Sequence, residues 1–103
     1  MRTSIKLALG ASALAITAPA SAATFFFNSG NYNPGVTAPE PLLAPDILEI
    51  QTGSNKIFGG VTFTNQSGTV NWRDGTIFLG GGAVIDNRSV WNLYSNDVLT
   101  VTT

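Results

Sequence analysis

Between Val61 and Val101 the chain returns to one pattern at a nearly constant spacing. Phe63-Thr64-Asn65 comes back as Ile85-Asp86-Asn87 at an offset of 22. Val70-Asn71-Trp72 comes back one step out of phase, as Trp91-Asn92-Leu93 at an offset of 21. The pairs Leu48/Val70, Ile57/Leu79, Phe63/Ile85 and Ile77/Leu99 all share the offset of 22. Each repeat holds three short runs in which apolar residues alternate, separated by Gly, Asn, Asp or Ser. Alternation puts the apolar side chains of a run on one face. Runs this short cannot bury that face alone, so each must stack on its equivalent one repeat later. The spacing therefore predicts an all-β chain folded as a short right-handed parallel β-helix (a β-solenoid) of two to three coils. Leu48, Ile50, Val61, Phe63, Val70 and Trp72 should point inward, with Ile77, Leu79, Ile85, Trp91 and Leu93. A small carbohydrate-binding β-sandwich is the alternative, since its strands also recur every 8–12 residues or so. Hairpin pairing of consecutive strands would identify it.

The chain divides into three parts. Residues 1–22 read as a secretory signal peptide: Arg2 and Lys6 form a positive start, Leu7–Ala18 an apolar core, and Ala20-Ser21-Ala22 a small-residue cleavage site. The apolar core is too short to cross roughly 30 Å of hydrocarbon. The general secretion route follows, to the surface or periplasm of a Gram-negative-type bacterium or beyond it, with no membrane span after processing. Residues 23–45 read as an irregular lead-in or N-terminal cap. They begin with Phe25-Phe26-Phe27, where either both faces are covered or one ring caps the open core, and they carry Pro34, Pro39, Pro41 and Pro45. Residues 46–103 carry the repeats.

Phe63-x-Asn65-x-Ser67-Gly68-Thr69-Val70-Asn71-Trp72, then Asp74-Gly75-Thr76-Ile77-x-Leu79-Gly80-Gly81-Gly82-Ala83, then Asp86-Asn87 and Val90-Trp91-Asn92-Leu93, resemble a known repeat. It is that of large bacterial surface and secreted β-helix proteins, the autotransporter and filamentous-haemagglutinin-like adhesin group. The likeness covers roughly residues 46–101. It implies a non-catalytic adhesin or structural protein, of which this chain would be an N-terminal fragment. A fragment of a polysaccharide-acting β-helix enzyme is a further reading. The chain departs from the group in having few coils and no barrel or sorting segment after them.

Composition removes most chemistry. There is no His and no Cys, so the commonest general base, the commonest metal ligand and every thiol or disulfide are missing. We expect no catalytic residue, cofactor or metal. Once residues 1–22 are removed, Lys56, Arg73 and Arg88 face Glu40, Glu49, Asp46, Asp74, Asp86 and Asp97. That sparse acidic balance argues against nucleic acid. Lys56 beside Ser54 reads as a solvated corner residue, and Asp74 and Asp86 read as turn and surface carboxylates before acid and base. The Gly80–Gly82 run matches neither the calcium β-roll repeat nor a nucleotide loop.

Tyr32, Phe78 and Tyr94 are the candidate exposed rings for contact with glycans or other surface proteins. Asn65 and Asn87, at matched positions after apolar runs, either stack as a ladder along the coil axis or are simply turn asparagines. The chain stops in β-prone residues, Leu99-Thr100-Val101-Thr102-Thr103. Self-association through an uncapped last coil is expected there.

Overall fold

The computed structural model describes residues 21–102 and is all β among them. Ten strands follow in order: β1 (Thr24–Phe27), β2 (Gly30–Asn31), β3 (Ile47–Ile50), β4 (Lys56–Gly59) and β5 (Thr62–Asn65), then β6 (Thr69–Trp72), β7 (Ile77–Gly80), β8 (Val84–Asn87), β9 (Val90–Leu93) and β10 (Leu99–Val101). They form three parallel sheets in the orders β9-β6-β3-β1, β10-β7-β4-β2 and β5-β8. No strand pairs with its neighbour in sequence. This is the three-sided β-solenoid that the spacing predicts, and hairpin pairing is absent among the described residues.

The register follows from which side chains must face inward. Leu48 sits on Val70, Phe63 on Ile85 and Ile77 on Leu99, each at the offset of 22. Between β6 and β9 the offset is 21, so Val70 meets Trp91, Asn71 meets Asn92 and Trp72 meets Leu93. The out-of-phase recurrence is thus in register, because one corner is shorter by a single position. A second offset of 21 pairs Phe58 with Leu79 and Ile57 with Phe78. Ile57 and Leu79 are not equivalent, and Ile57 faces outward. Corners absorb such differences because Gly supplies backbone geometry other residues avoid: Gly81 and Gly82 turn the corner before β8 with φ of 62° and 77°.

Two expectations are corrected here. Two of the sheets have four strands, so the stack is about four turns rather than two to three. The reason is that residues 23–45 form a turn themselves. β1 pairs with β3, β2 pairs with β4, and Leu42 bridges to Asn65. Phe25 and Phe27 pack inward while Phe26 is 55% exposed, so plain alternation accounts for the Phe run. The third side of this first turn is irregular because Pro39 and Pro41 have no N–H to give. The Glu40 carboxylate takes the place of a strand there, accepting the Thr64 N–H at 3.0 and 3.1 Å.

The core is an aromatic column with aliphatic walls. Phe27, Tyr32, Phe58 and Phe63 meet at centroid distances of 4.8–6.3 Å, and Phe63 reaches Trp91 at 6.4 Å. Leu42, Leu48, Ile50, Val70 and Ile77 are fully buried around it. Of the residues expected inward, Val61, Leu79, Ile85 and Trp91 are partly buried. Leu93 is the exception at 60% exposure. It stands above Trp72 in the last turn, with no described residue stacked on it.

Candidate functional site

The outer surface of the β9-β6-β3-β1 sheet carries a hydrogen-bonded group of polar side chains. Glu49, Asn71 and Asn92 occupy one register column. Asn71 Nδ2 donates to Glu49 Oε2 at 2.7 Å, and Asn92 Nδ2 donates to Asn71 Oδ1 at 2.9 Å. At the next corner Arg73 donates to Glu49 through Nε and places its guanidinium 4.5 Å from the Tyr94 ring centre. Tyr94 is 59% exposed. The result is a carboxylate, two amides, a guanidinium and one open aromatic ring on a single strip. Such a strip can bind a polar ligand by hydrogen bonds and ring stacking.

The charges in the strip hold one another in place. The hydrogen bond from Arg73 keeps the Glu49 carboxyl below its ordinary value of 4.5, and Asn71 adds to this against the opposing effect of burial. Away from the strip, at the corner of Gly75 and Lys56, Asp97 is held below the ordinary carboxylate range by hydrogen bonds from Ser95 and the Gly75 N–H. Because both values fall on folding, these groups add stability above the unfolded values and lose it as pH drops through the folded ones. The urea midpoint should therefore fall progressively as pH drops below 4.5. Glu49→Gln should flatten that fall; an unchanged slope would contradict the assignment.

The three candidate rings do not converge. Phe78, facing out of β7 between inward Ile77 and Leu79, is half-buried. Tyr94 is exposed, as expected. Tyr32 is not: it is 2% exposed, stacked on Phe58 at 4.8 Å and edge-on to Phe27. The polar Asn-Pro-Gly context suggests a surface turn, but the first turn folds Tyr32 into its own core. Burial, with Glu40 nearby, pushes its phenol well above the ordinary range. Its hydroxyl has no hydrogen-bond partner among the described residues, and an unpaired buried hydroxyl costs roughly 1–3 kcal/mol. Tyr32→Phe should therefore raise stability, by about 1 kcal/mol in urea unfolding.

Asn65 and Asn87 do stack. Asn65 is fully buried, and its Nδ2 donates to Asn87 Oδ1 at 2.8 Å and to the Val90 carbonyl at 3.0 Å. The ladder stops below Asn65 because Leu42 occupies that register position. The column of Glu49, Asn71 and Asn92 is a second ladder, which the sequence signals only through the recurrence of Asn71 as Asn92.

Lys56 overturns the reading of a solvated corner. It takes the register position that Ile77 holds in the next turn and is fully buried. Its ammonium donates to the carbonyls of Thr52, of Ser54 at 2.7 Å and of Asp74 at 3.2 Å, and to Thr52 Oγ1 at 3.3 Å. Burial lowers its pKa, against the opposing pull of Asp74 and Asp97. These bonds pin the corner of one turn to that of the next. Asp74 lies in that corner and Asp86 in β8, where Arg88 holds it. The two carboxylates are thus on different sides of the solenoid. Among the described residues, no group of three or more Asp and Glu is placed to hold a metal ion. Comparison with protein-family models, with curated proteins and with solved structures found no match for this chain.

Proposed function

We propose that this chain is a non-catalytic, exported β-solenoid of the adhesin or structural type, working at a bacterial cell surface or outside it. The observation that supports this best is the division of labour in the stack. Inward positions other than Lys56 and the Asn65 ladder repeat as apolar residues from turn to turn, while outward ones change from Glu49 to Asn71 to Asn92 and from Gln51 to Arg73 to Tyr94. A scaffold of this kind presents a different surface at each level without altering its core. Export rests on the signal-peptide pattern of residues 1–22, of which all but the last two lie outside the described residues. Expression in a Gram-negative host should yield a mature chain beginning at Ala23, read by intact-mass spectrometry. A cytoplasmic, uncleaved product would refute the export part.

Glycan contact is the second reading, and the Glu49–Asn71–Arg73–Tyr94 strip favours it. Sugars are bound by planar rings beside amide and charged hydrogen-bonding groups. On a glycan array, Tyr94→Ala should reduce any signal by about tenfold or more, the loss of roughly 1.5 kcal/mol of ring contact. Its fold should persist, because Tyr94 lies outside the core. An undiminished signal would point instead to another face.

A further inference from the structure

Tyr94 has a counterpart at the foot of the same face. Phe26 is the lowest member of the register column that continues through Glu49, Asn71 and Asn92. A neighbouring column, two positions along each strand, runs from Asn28 through Gln51 and Arg73 to Tyr94. The backbone N–H groups of its upper three members bond to the turn below. Phe27 and Leu93 take inward positions, so alternation turns Phe26 and Tyr94 out from the side of the stack. Both rings are open, at 55% and 59% exposure. They stand three strand spacings of ~4.8 Å apart along the axis. The levels between them are polar. Asn71 is covered, but the Arg73 side chain at its level is 45% exposed.

We infer that these two columns form a linear tract for a straight, uncharged, β-linked polysaccharide of the cellulose or chitin type. The glycan lies along the solenoid axis, and Phe26 and Tyr94 stack on its rings at the two ends. This tract rests on the glycan reading of the Tyr94 strip and specifies the charge, shape and direction of the ligand. The levels recur every ~4.8 Å, close to the length that one ring adds to a straight β-linked chain. Successive sugars therefore meet successive levels. An α-linked chain winds away from a straight row within a few units and cannot follow it. Open aromatic rings meet the C–H faces of sugars, while the Asn28 and Gln51 amides and the Arg73 guanidinium meet their hydroxyls.

Charge selects an uncharged ligand. Glu49 and Arg73 are the only charged residues on the two columns, and they are joined at 2.5 Å. A carboxylated or sulfated chain would have to draw Arg73 away from Glu49, leaving that carboxylate unpaired. A peptide strand fits poorly, because strand addition needs the free backbone groups of a sheet edge. This face presents side chains only. Phe78 takes no part, since it faces out of β7 in a different sheet.

Titration calorimetry with cello-oligosaccharides and chito-oligosaccharides, from disaccharide to hexasaccharide, tests this. For at least one series, affinity should rise with length until the tract is filled and then level off. Phe26→Ala and Tyr94→Ala should each weaken hexasaccharide binding by about tenfold, with an unchanged far-ultraviolet spectrum. Phe78→Ala, which removes a ring from another face, should leave binding as it was. Affinity that does not depend on length overturns the inference. So does a Phe26→Ala variant that binds like the unaltered chain, and so does failure of both series to bind. Should a variant fail to fold, the length dependence of the unaltered chain still decides. The glycan reading fails separately. A branched or acidic glycan whose array signal is lost in Tyr94→Ala but kept in Phe26→Ala would preserve that reading and overturn the tract. An array with no Tyr94-dependent signal would overturn both.

Discussion

Gly75→Ala is expected to cost about 4 kcal/mol or more, enough to leave a small domain largely unfolded at ambient temperature. Gly75 has φ of +88°, where a side chain alone costs roughly 1–2 kcal/mol. The added carbon would also collide with the Lys56 ammonium and the Ser54 carbonyl, and would come within 2.6 Å of the Thr52 carbonyl. Two of those three obstacles are backbone. The third is the buried cation, whose displacement strands its acceptors, and losing hydrogen bonds to a charged group costs about 1.5–3 kcal/mol. Gly82→Ala is the matched control. Its φ is +77°, but nothing lies within 4 Å of the new carbon, so only the backbone cost of about 1–2 kcal/mol should appear. Urea unfolding followed by circular dichroism separates the two. Equal losses would mean that the Lys56 corner does not hold the turns together.

Phe63→Ala should lower stability by about 3–5 kcal/mol. Phe63 is fully buried and is the ring through which Tyr32 and Phe58 in the lower turns connect to Trp91 in the last. Its removal opens a cavity in the middle of the column, where strands fixed by three parallel ladders cannot collapse inward. Phe26→Ala, a truncation of the same size at a 55% exposed position, should change stability by no more than about 0.5 kcal/mol. Thermal melts of the two variants measure the contrast. Similar midpoints would show that the column is not the core.

Much of this architecture can be read in the chain, for a reason visible in particular residues. A parallel stack places like on like, so an inward position must be apolar in each turn. Leu48 and Val70, Phe63 and Ile85, and Ile77 and Leu99 satisfy that rule at a fixed spacing, and the spacing reveals the topology. The ladder of Asn65 and Asn87 is legible in the same way. Where the rule is broken the reading fails with it. The first turn lacks the repeat because prolines and the Glu40 side chain replace strand pairing on one side, so Tyr32 reads as a surface ring. Lys56 reads as a solvated residue because it does not look like the Ile77 stacked above it.

The sequence alone shows how much chain makes one turn, because the recurrence of short apolar runs is visible along it. That these runs stack in parallel rather than pair as hairpins of a sandwich is seen in the strand pairing. The tertiary structure decided the rest. Corner lengths set the offset at 23 and 26 between the first and second turns and at 21 or 22 after that, and hence whether Phe58 or Ile57 meets the core. Carbonyls of Thr52, Ser54 and Asp74, separated in sequence, converge on one ammonium and make burying Lys56 tolerable. The joining of Glu49, Arg73 and Tyr94 on one strip depends on the rotation of each turn relative to the one below. Those outcomes arise from groups that only folding brings together, and no local pattern encodes them.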